Sequence, residues 1–203
     1  MPRRRPAWAC HPVLILFVMS PTAPAAFRTA RRVLVLGSSG AGKSTVAREL
    51  SSRLGLPLVH LDKLHWRPGW VSPPDGEWAG TVRELVKGPA WVIDGNHTGT
   101  LPTRLAAADA VVFLDLPRVL CLGRILRRRW RCRGGRTRPE MTPGCPEKID
   151  AEFLRWVLRT YPRDHRPRTL AAVRGASHLK AVAVLESRAA VRSFLAALRP
   201  PAG

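Results

Sequence analysis

Short apolar runs recur along the chain at residues 33–36, 57–61, 90–93, 110–114 and 179–185. They are continuous rather than alternating, the pattern of strands buried on both faces of a parallel sheet. Between them lie stretches with helical spacing. Residues 45–54 stop at Gly55, residues 77–87 follow a capping Asp75, a third stretch starts at Pro117, and residues 188–198 close the chain as an amphipathic helix. This succession predicts an α/β fold, a doubly wound, mainly parallel five-stranded sheet with helices on both faces. Ligands of such sheets sit at the carboxyl ends of the strands, so the turns after each apolar run are where chemistry is expected. Residues 63–74, rich in Trp, Pro and Gly, read as a long loop after the second strand.

The turn after the first strand carries Gly37-Ser38-Ser39-Gly40-Ala41-Gly42-Lys43-Ser44-Thr45, the pattern G-x-x-x-x-G-K-[ST] between a strand and a helix. Glycines let the backbone turn sharply and press its N–H groups against phosphate oxygens, and the helix N-terminus adds partial positive charge. Lys43 is expected to reach the β- and γ-phosphates, and the Ser44 hydroxyl to ligate Mg²⁺. The whole segment predicts binding of a nucleoside triphosphate.

Asp62, Asp94 and Asp115 each follow an apolar run directly. One strand-end carboxylate beside Ser44 suffices to hold Mg²⁺, and a second can position or deprotonate an acceptor. Asp94, in the polar turn Asp94-Gly95-Asn96-His97, is expected to be functional. Asp115, before Leu116-Pro117, reads as a cap of the following helix, and Asp62 is assigned to the acceptor. The Pro117 helix is expected to bury Leu122, Ile125, Leu126 and Trp130, while Arg124, Arg127, Arg128 and Arg131 recur on another face. Arg133, Arg136 and Arg138 continue into a Gly-rich segment that reads as a mobile loop, and Arg155 and Arg159 follow on the next helix. Stacked like charges cost a few tenths of a kcal/mol per pair, so an anion is expected to offset them. It is either a transferring phosphoryl group or a nucleic-acid backbone. Trp66, Trp70 and Trp78 either stack on a ligand ring or anchor the long loop; His60 and His65 read as structural.

Composition adds bounds. The 203 residues suit one α/β domain, and the net charge of +20 is carried almost wholly by arginine, since only five of 34 basic residues are lysines. Cys10, Cys121, Cys132 and Cys145 form no C-x-x-C pair, which argues against a zinc site or a disulfide framework. Residues 1–26 imitate a secretory signal: Arg3-Arg4-Arg5, an apolar run at 13–19, then Ala23-Pro24-Ala25-Ala26. The apolar run falls short of the ~20 residues of a membrane span, and an exported protein would carry its phosphate loop away from ATP. The expectation is a cytoplasmic protein without a membrane span, with residues 1–30 a leader, Met19 an alternative start, and 31–200 a single domain carrying a lid insert at about 130–148; export is the alternative.

Several segments in order then resemble one family. They are the loop from Gly37 to Thr45, Leu61-Asp62-Lys63-Leu64-His65-Trp66-Arg67-Pro68-Gly69-Trp70, Trp91-Val92-Ile93-Asp94-Gly95-Asn96, Leu114-Asp115-Leu116-Pro117-Arg118, Arg136-Thr137-Arg138-Pro139 and Gly144-Cys145-Pro146-Glu147. Together, over about residues 33–198, they resemble the bacterial adenylate-kinase-like P-loop proteins labelled "topology modulation protein", a flagellar-regulator-like group. The resemblance implies that Asp94 works with the loop and its metal, and that Arg124, Arg127, Arg136 and Arg138 form an arginine helix and lid. Adenylate kinases follow their Asp-Gly with Phe-Pro-Arg, whereas this chain has Asn96-His97-Thr98, which argues against AMP as acceptor. The expected function is ATP- and Mg²⁺-dependent phosphoryl transfer to a small-molecule acceptor. In it Lys43 and the loop hold the phosphates, Ser44 and Asp94 the metal, Arg124, Arg127, Arg136 and Arg138 the transferring group, and Asp62 the acceptor. The alternative is a nucleic-acid-associated NTPase that regulates DNA topology.

Overall fold

Alternate side chains of the central strand settle the architecture. In β1 (Arg32–Gly37), Val33 and Val35 point to one face and Leu34 and Leu36 to the other, and all four are fully buried. The strand lies between β3 (Trp91–Asp94) and β4 (Ala110–Leu114), with β2 (Leu58–His60) and β5 (Ala181–Leu185) at the edges. The order is β2-β3-β1-β4-β5, and every neighbouring pair is parallel. The computed structural model describes residues 23–132 and 137–198. The expected five-stranded, doubly wound α/β sheet is what it shows.

One face is covered by α1 (Ala23–Thr29), α2 (Lys43–Leu54) and α9 (Arg188–Ala197), which contribute Phe27, Leu50 and Phe194 to a core with Val33, Val35 and Val112. The other is covered by α4 (Asp75–Val86), α5 (Leu101–Ala107) and α8 (Arg166–Gly175), through Trp78, Val82, Leu105 and Leu170 against Leu34, Ile93 and Phe113. A short α3 (Leu61–His65) follows β2, and α6 (Arg118–Arg131) follows β4. Then α7 (Ala151–Arg155) runs into a π-helical stretch, Trp156–His165, before α8. No helix among the described residues is long and apolar enough to cross a membrane.

Several boundaries differ from the sequence pattern. The leader expected over residues 1–30 contains α1, whose Phe27 is fully buried and meets Phe194 edge to face at 5.0 Å. An aromatic residue with a core partner belongs to the fold, whatever its flanking composition. Residues 1–22, with Cys10 and Met19, lie outside the described residues, as do 133–136 in the expected lid. The expected loop at 63–74 starts inside α3 and then makes a small antiparallel bridge between Arg67 and Val71. Helix α4 begins at Asp75 itself, with Pro74 at its N-cap, so Asp75 supplies first-turn charge rather than a cap. Asp115 does not cap α6 either; it forms a two-pronged ion pair with Arg166 of α8, Nε to Oδ1 at 2.8 Å.

The face of α6 also differs. Cys121 and Ile125 are buried, whereas Leu126 and Trp130 are exposed. The helix is rotated so that Cys121 and Ile125 rest on Gly40, where a Cβ would stand 2.3 Å from the Cys121 carbonyl oxygen. That rotation decides which arginines face inward.

Candidate functional site

The chain leaves β1 through a loop whose glycines take conformations other residues avoid. Gly40 has φ +78° and Gly37 φ +142°, and a Cβ at Gly37 would stand 2.5 Å from the Leu114 carbonyl oxygen. The loop therefore lies flat on β4 and α6, and delivers the chain into α2 at Lys43. The first N–H groups of a helix have no partner within it and point at whatever anion approaches. Across the loop the Lys43 ammonium donates to the Ser38 carbonyl at 3.1 Å. Burial lowers its pKa, Asp94 and Asp62 oppose the shift, and Arg128 and Arg138 add to it.

A cavity of about 520 Å³ opens over this loop. Ser39, Gly40, Ala41, Gly42, Lys43, Ser44 and Thr45 line it, together with Asp62, Asp94, Arg124, Arg128, Arg138 and Arg188. Gly37 and Ser38, expected among the phosphate contacts, are not in this lining. Gly37 is clamped from below by Asn96, whose Oδ1 accepts its N–H at 3.2 Å and whose Nδ2 donates to its carbonyl at 2.8 Å. Arg124 donates to the Ala41 carbonyl at 2.8 Å and so ties α6 to the loop.

Asp94 is brought alongside by register, since it pairs with Val35 at the end of β1. It is only 5% exposed. Its Oδ2 meets His60 Nδ1 at 2.9 Å, while Oδ1 is buried without a protein partner. A free buried carboxylate oxygen beside a cavity-lining Ser44 fits Mg²⁺, which prefers oxygen ligands and keeps several of its own waters. No cluster of three His, Cys, Asp or Glu residues occurs among the described residues, so the fit is to a metal held largely by its substrate.

The turn after Asp94 is held by a residue that no local pattern singles out. Arg104 of α5 is fully buried and donates to the carbonyls of Gly95 at 3.0 Å, of His97 at 2.9 Å, and of Asn96. Burial pulls its pKa down to about 10. The turn it fixes holds His97 at φ +30°, and His97 Nε2 lies 3.0 Å from Asp62 Oδ1. Burial raises the Asp62 pKa, but the His97 hydrogen bond and charge, with Lys43 and Arg138, outweigh it and leave it below the usual carboxylate range.

Of the expected arginines, Arg124 and Arg138 reach the cavity, Arg127 is exposed and does not, and Arg136 lies outside the described residues. Arg128 takes the place assigned to Arg127. Positions three and four beyond Arg124 both lie near its helix face, so spacing alone did not separate them. Arg128 donates to Glu147 Oε1 at 2.7 Å, Arg138 lies 2.9 Å from Glu147 Oε2, and Arg129 donates to the Glu147 carbonyl at 2.5 Å. Two of the arginines that looked like a surface for anions, Arg128 and Arg138, are thus gathered around one buried carboxylate. Arg155 and Arg159 are exposed.

A second cavity of about 450 Å³ shares Ser39, Lys43, Asp62, Arg128 and Arg138 with the first, so the two meet at Lys43. Its lining also includes Trp66 and Trp70 and, from α7 and the stretch after it, Phe153 and Trp156. Trp78, by contrast, is buried in the core.

No family model matches the chain. The fold superimposes on shikimate kinase from Acinetobacter baumannii, solved in complex with shikimate, with a TM-score of 0.50 over 85% of this chain and 93% of that one, at 23% identity. This is a P-loop kinase fold. A gluconokinase from Sinorhizobium meliloti 1021 aligns at a TM-score of 0.47 and 20% identity over 83% of this chain and 91% of the other. In sequence, this P-loop chain is 33% identical over 106 residues to shikimate kinase from Halorhodospira halophila, covering 45% of its own length and 60% of that protein. The chain therefore spans well under two thirds of the curated relative it matches.

Proposed function

We propose that this protein is an ATP-dependent phosphotransferase that moves a γ-phosphoryl group to a hydroxyl of a small molecule. The observation that carries the reading is the meeting of two cavities at Lys43, with a phosphate-binding loop on one side and the Asp62 carboxylate on the other. Loop amides from Ser39 to Thr45 and the Lys43 ammonium bind the phosphates. Burial depresses the Lys43 pKa and an arriving phosphate opposes that shift, so charge and ligand favour one another. Arg124 and Arg188, which both line the first cavity, hold the nucleotide phosphates. Ser44 and Asp94 Oδ1 hold Mg²⁺, which supplies charge neutralisation on the phosphate oxygens when bound.

Arg128 and Arg138 present cationic groups where charge develops on the transferring group, in a site that Glu147 keeps ordered. Asp62, ionised and oriented by His97, accepts the hydrogen bond of the acceptor hydroxyl and takes its proton as the new P–O bond forms. The bond from the γ-phosphorus to the bridging oxygen breaks, and ADP leaves. The finer likeness to the "topology modulation protein" family rests on residues 37–45, 61–70, 91–96, 114–118, 136–139 and 144–147, among which Asp62, Trp66, Trp70, Asn96, Arg138 and Glu147 line the second cavity, and names no substrate. The reading carries a cytoplasmic location, where ATP is at hand.

The test is ADP release from Mg-ATP across a panel of nucleosides, nucleoside monophosphates, sugar acids and simple alcohols, plus DNA and RNA, with Lys43→Ala as the blank. One small acceptor should stimulate turnover, and Lys43→Ala should lose at least 100-fold of it. Stimulation by nucleic acid alone would refute the kinase reading in favour of the NTPase.

A further inference from the structure

The second cavity is walled by rings rather than by charges. Trp66 and Trp70 stand edge to face at 5.3 Å, Phe153 and Trp156 lie nearly parallel, 19° apart, and all four line the cavity. Trp70 is held there at some backbone cost: its φ is +65°, a region bulky residues avoid, and its indole N–H donates to the Pro146 carbonyl at 3.1 Å. That bond joins the loop after α3 to the segment before α7. Gly69 N–H to the Gly144 carbonyl at 3.0 Å and Thr142 Oγ1 to the Lys63 carbonyl at 2.9 Å do the same. Both aromatic pairs therefore belong to one stitched unit.

The cations around this cavity stand mostly at the end it shares with the phosphate cavity. Arg128 and Arg138 share Glu147, Lys148 lies 3.3 Å from Asp150, and Lys43 sits over the loop on the phosphate side. Lys43, Arg128 and Arg138 also line the phosphate cavity, so among the described residues lining this one the lysine or arginine not shared with the phosphates is Lys148, which Asp150 pairs. At the cavity's inner end, Asp62, Asn96 and His97 offer partners for hydroxyl groups. Burying an acceptor carboxylate without a counter-charge is costly, whereas a flat neutral ring against aromatic side chains gains stacking and area.

We infer that the acceptor is an uncharged nucleoside-type alcohol, a flat heteroaromatic ring joined to a hydroxyl-bearing unit, rather than a sugar acid. The inference rests on the phosphotransferase reading above. The ring packs against the tryptophans, and its hydroxyl lies at Asp62. That hydroxyl oxygen bonds to the γ-phosphorus, its proton passes to Asp62, and the bridging oxygen leaves with ADP.

The experiment measures transfer from Mg-ATP to purine and pyrimidine nucleosides, with shikimate and gluconate as anionic comparators. It is run in the wild type and in Trp66→Ala, Trp156→Ala and the matching Trp→Phe variants. Nucleosides should be phosphorylated in preference to the acids. Each Trp→Ala should raise the acceptor KM by about 5- to 150-fold, the range of a lost base stack, leaving the ATP KM unchanged, and Phe should restore most of it. A sugar acid phosphorylated with a KM indifferent to both tryptophans would overturn the acceptor class and leave the phosphotransferase standing. If no acceptor turns over, pyrimidine nucleosides are titrated into the Mg-ADP complex by tryptophan fluorescence. Saturable quenching lost in Trp156→Ala supports the inference, and its absence overturns it. Failure to bind Mg-ATP at all would remove the underlying reading and the inference with it.

Discussion

Arg104→Met is the substitution that tests most of the argument at once. The side chain is fully buried, and Met keeps its apolar stem while removing the guanidinium end and its charge. What it exposes is backbone: the carbonyls of Gly95, Asn96 and His97 lose their donor. Hydrogen bonds to a charged group contribute about 1.5–3 kcal/mol each, so three are worth roughly 4.5–9 kcal/mol. Against this stands the cost of burying the guanidinium, whose pKa falls from 12.5 to about 10, or about 3 kcal/mol at 1.36 kcal/mol per pH unit. The net loss expected is about 3 kcal/mol. Ion pairs replaced by apolar residues often cost nothing, but there both partners are removed; here the carbonyls stay behind.

Urea denaturation should show the loss as a lower midpoint at unchanged slope, and melting should fall by about 6–12 °C for a chain of this size. Function should suffer as well, because the same turn carries Asn96, which clamps Gly37, and His97, which orients Asp62. Arg104→Lys, retaining the charge with fewer donors in a different geometry, should lie between wild type and Met. A Met variant within about 0.5 kcal/mol of wild type would refute the account of this turn, since the three carbonyls would then have found other partners at no cost.

Three further outcomes follow from the site. Arg128→Ala should cut kcat by at least 100-fold, while Arg127→Ala stays within twofold, a contrast that steady-state kinetics on both variants decides; equal effects would mean that α6 is rotated otherwise. Asp62→Asn should lower kcat by about 100-fold or more with nucleotide affinity kept, and unchanged kinetics would remove its role. Because the folded-state pKa of Asp62 is depressed, its carboxylate contributes stability above the ordinary carboxylate range and loses it only as pH falls through the lower value. The wild-type rate should therefore show no Asp62 limb between pH 5 and 7. An acid limb in that window that vanishes in Asp62→Asn would contradict the assignment.

Much of this protein was legible along the chain because its signals are local. The phosphate loop combines glycine conformations, a strand and a helix start within nine residues, and the apolar runs at 33–36, 90–93 and 110–114 mark buried strands whatever surrounds them. Asp94 and Asp62 were found because strand ends in a doubly wound sheet converge on one edge. Other features exist only once elements pack. Helical spacing named Arg124, Arg127 and Arg128 together, and the rotation of α6 over Gly40 chose among them. Asp115 looked like a cap until α8, some fifty residues on, supplied Arg166. Phe27 stood among leader-like residues, and only the approach of α9 made it core. Arg104 and Glu147 carry no local signature, since a buried charge is specified by partners distant in sequence. Local patterns report conformational preference over a few residues; burial, ion pairing and the choice of helix face are properties of contacts between segments, and those are settled by the tertiary structure.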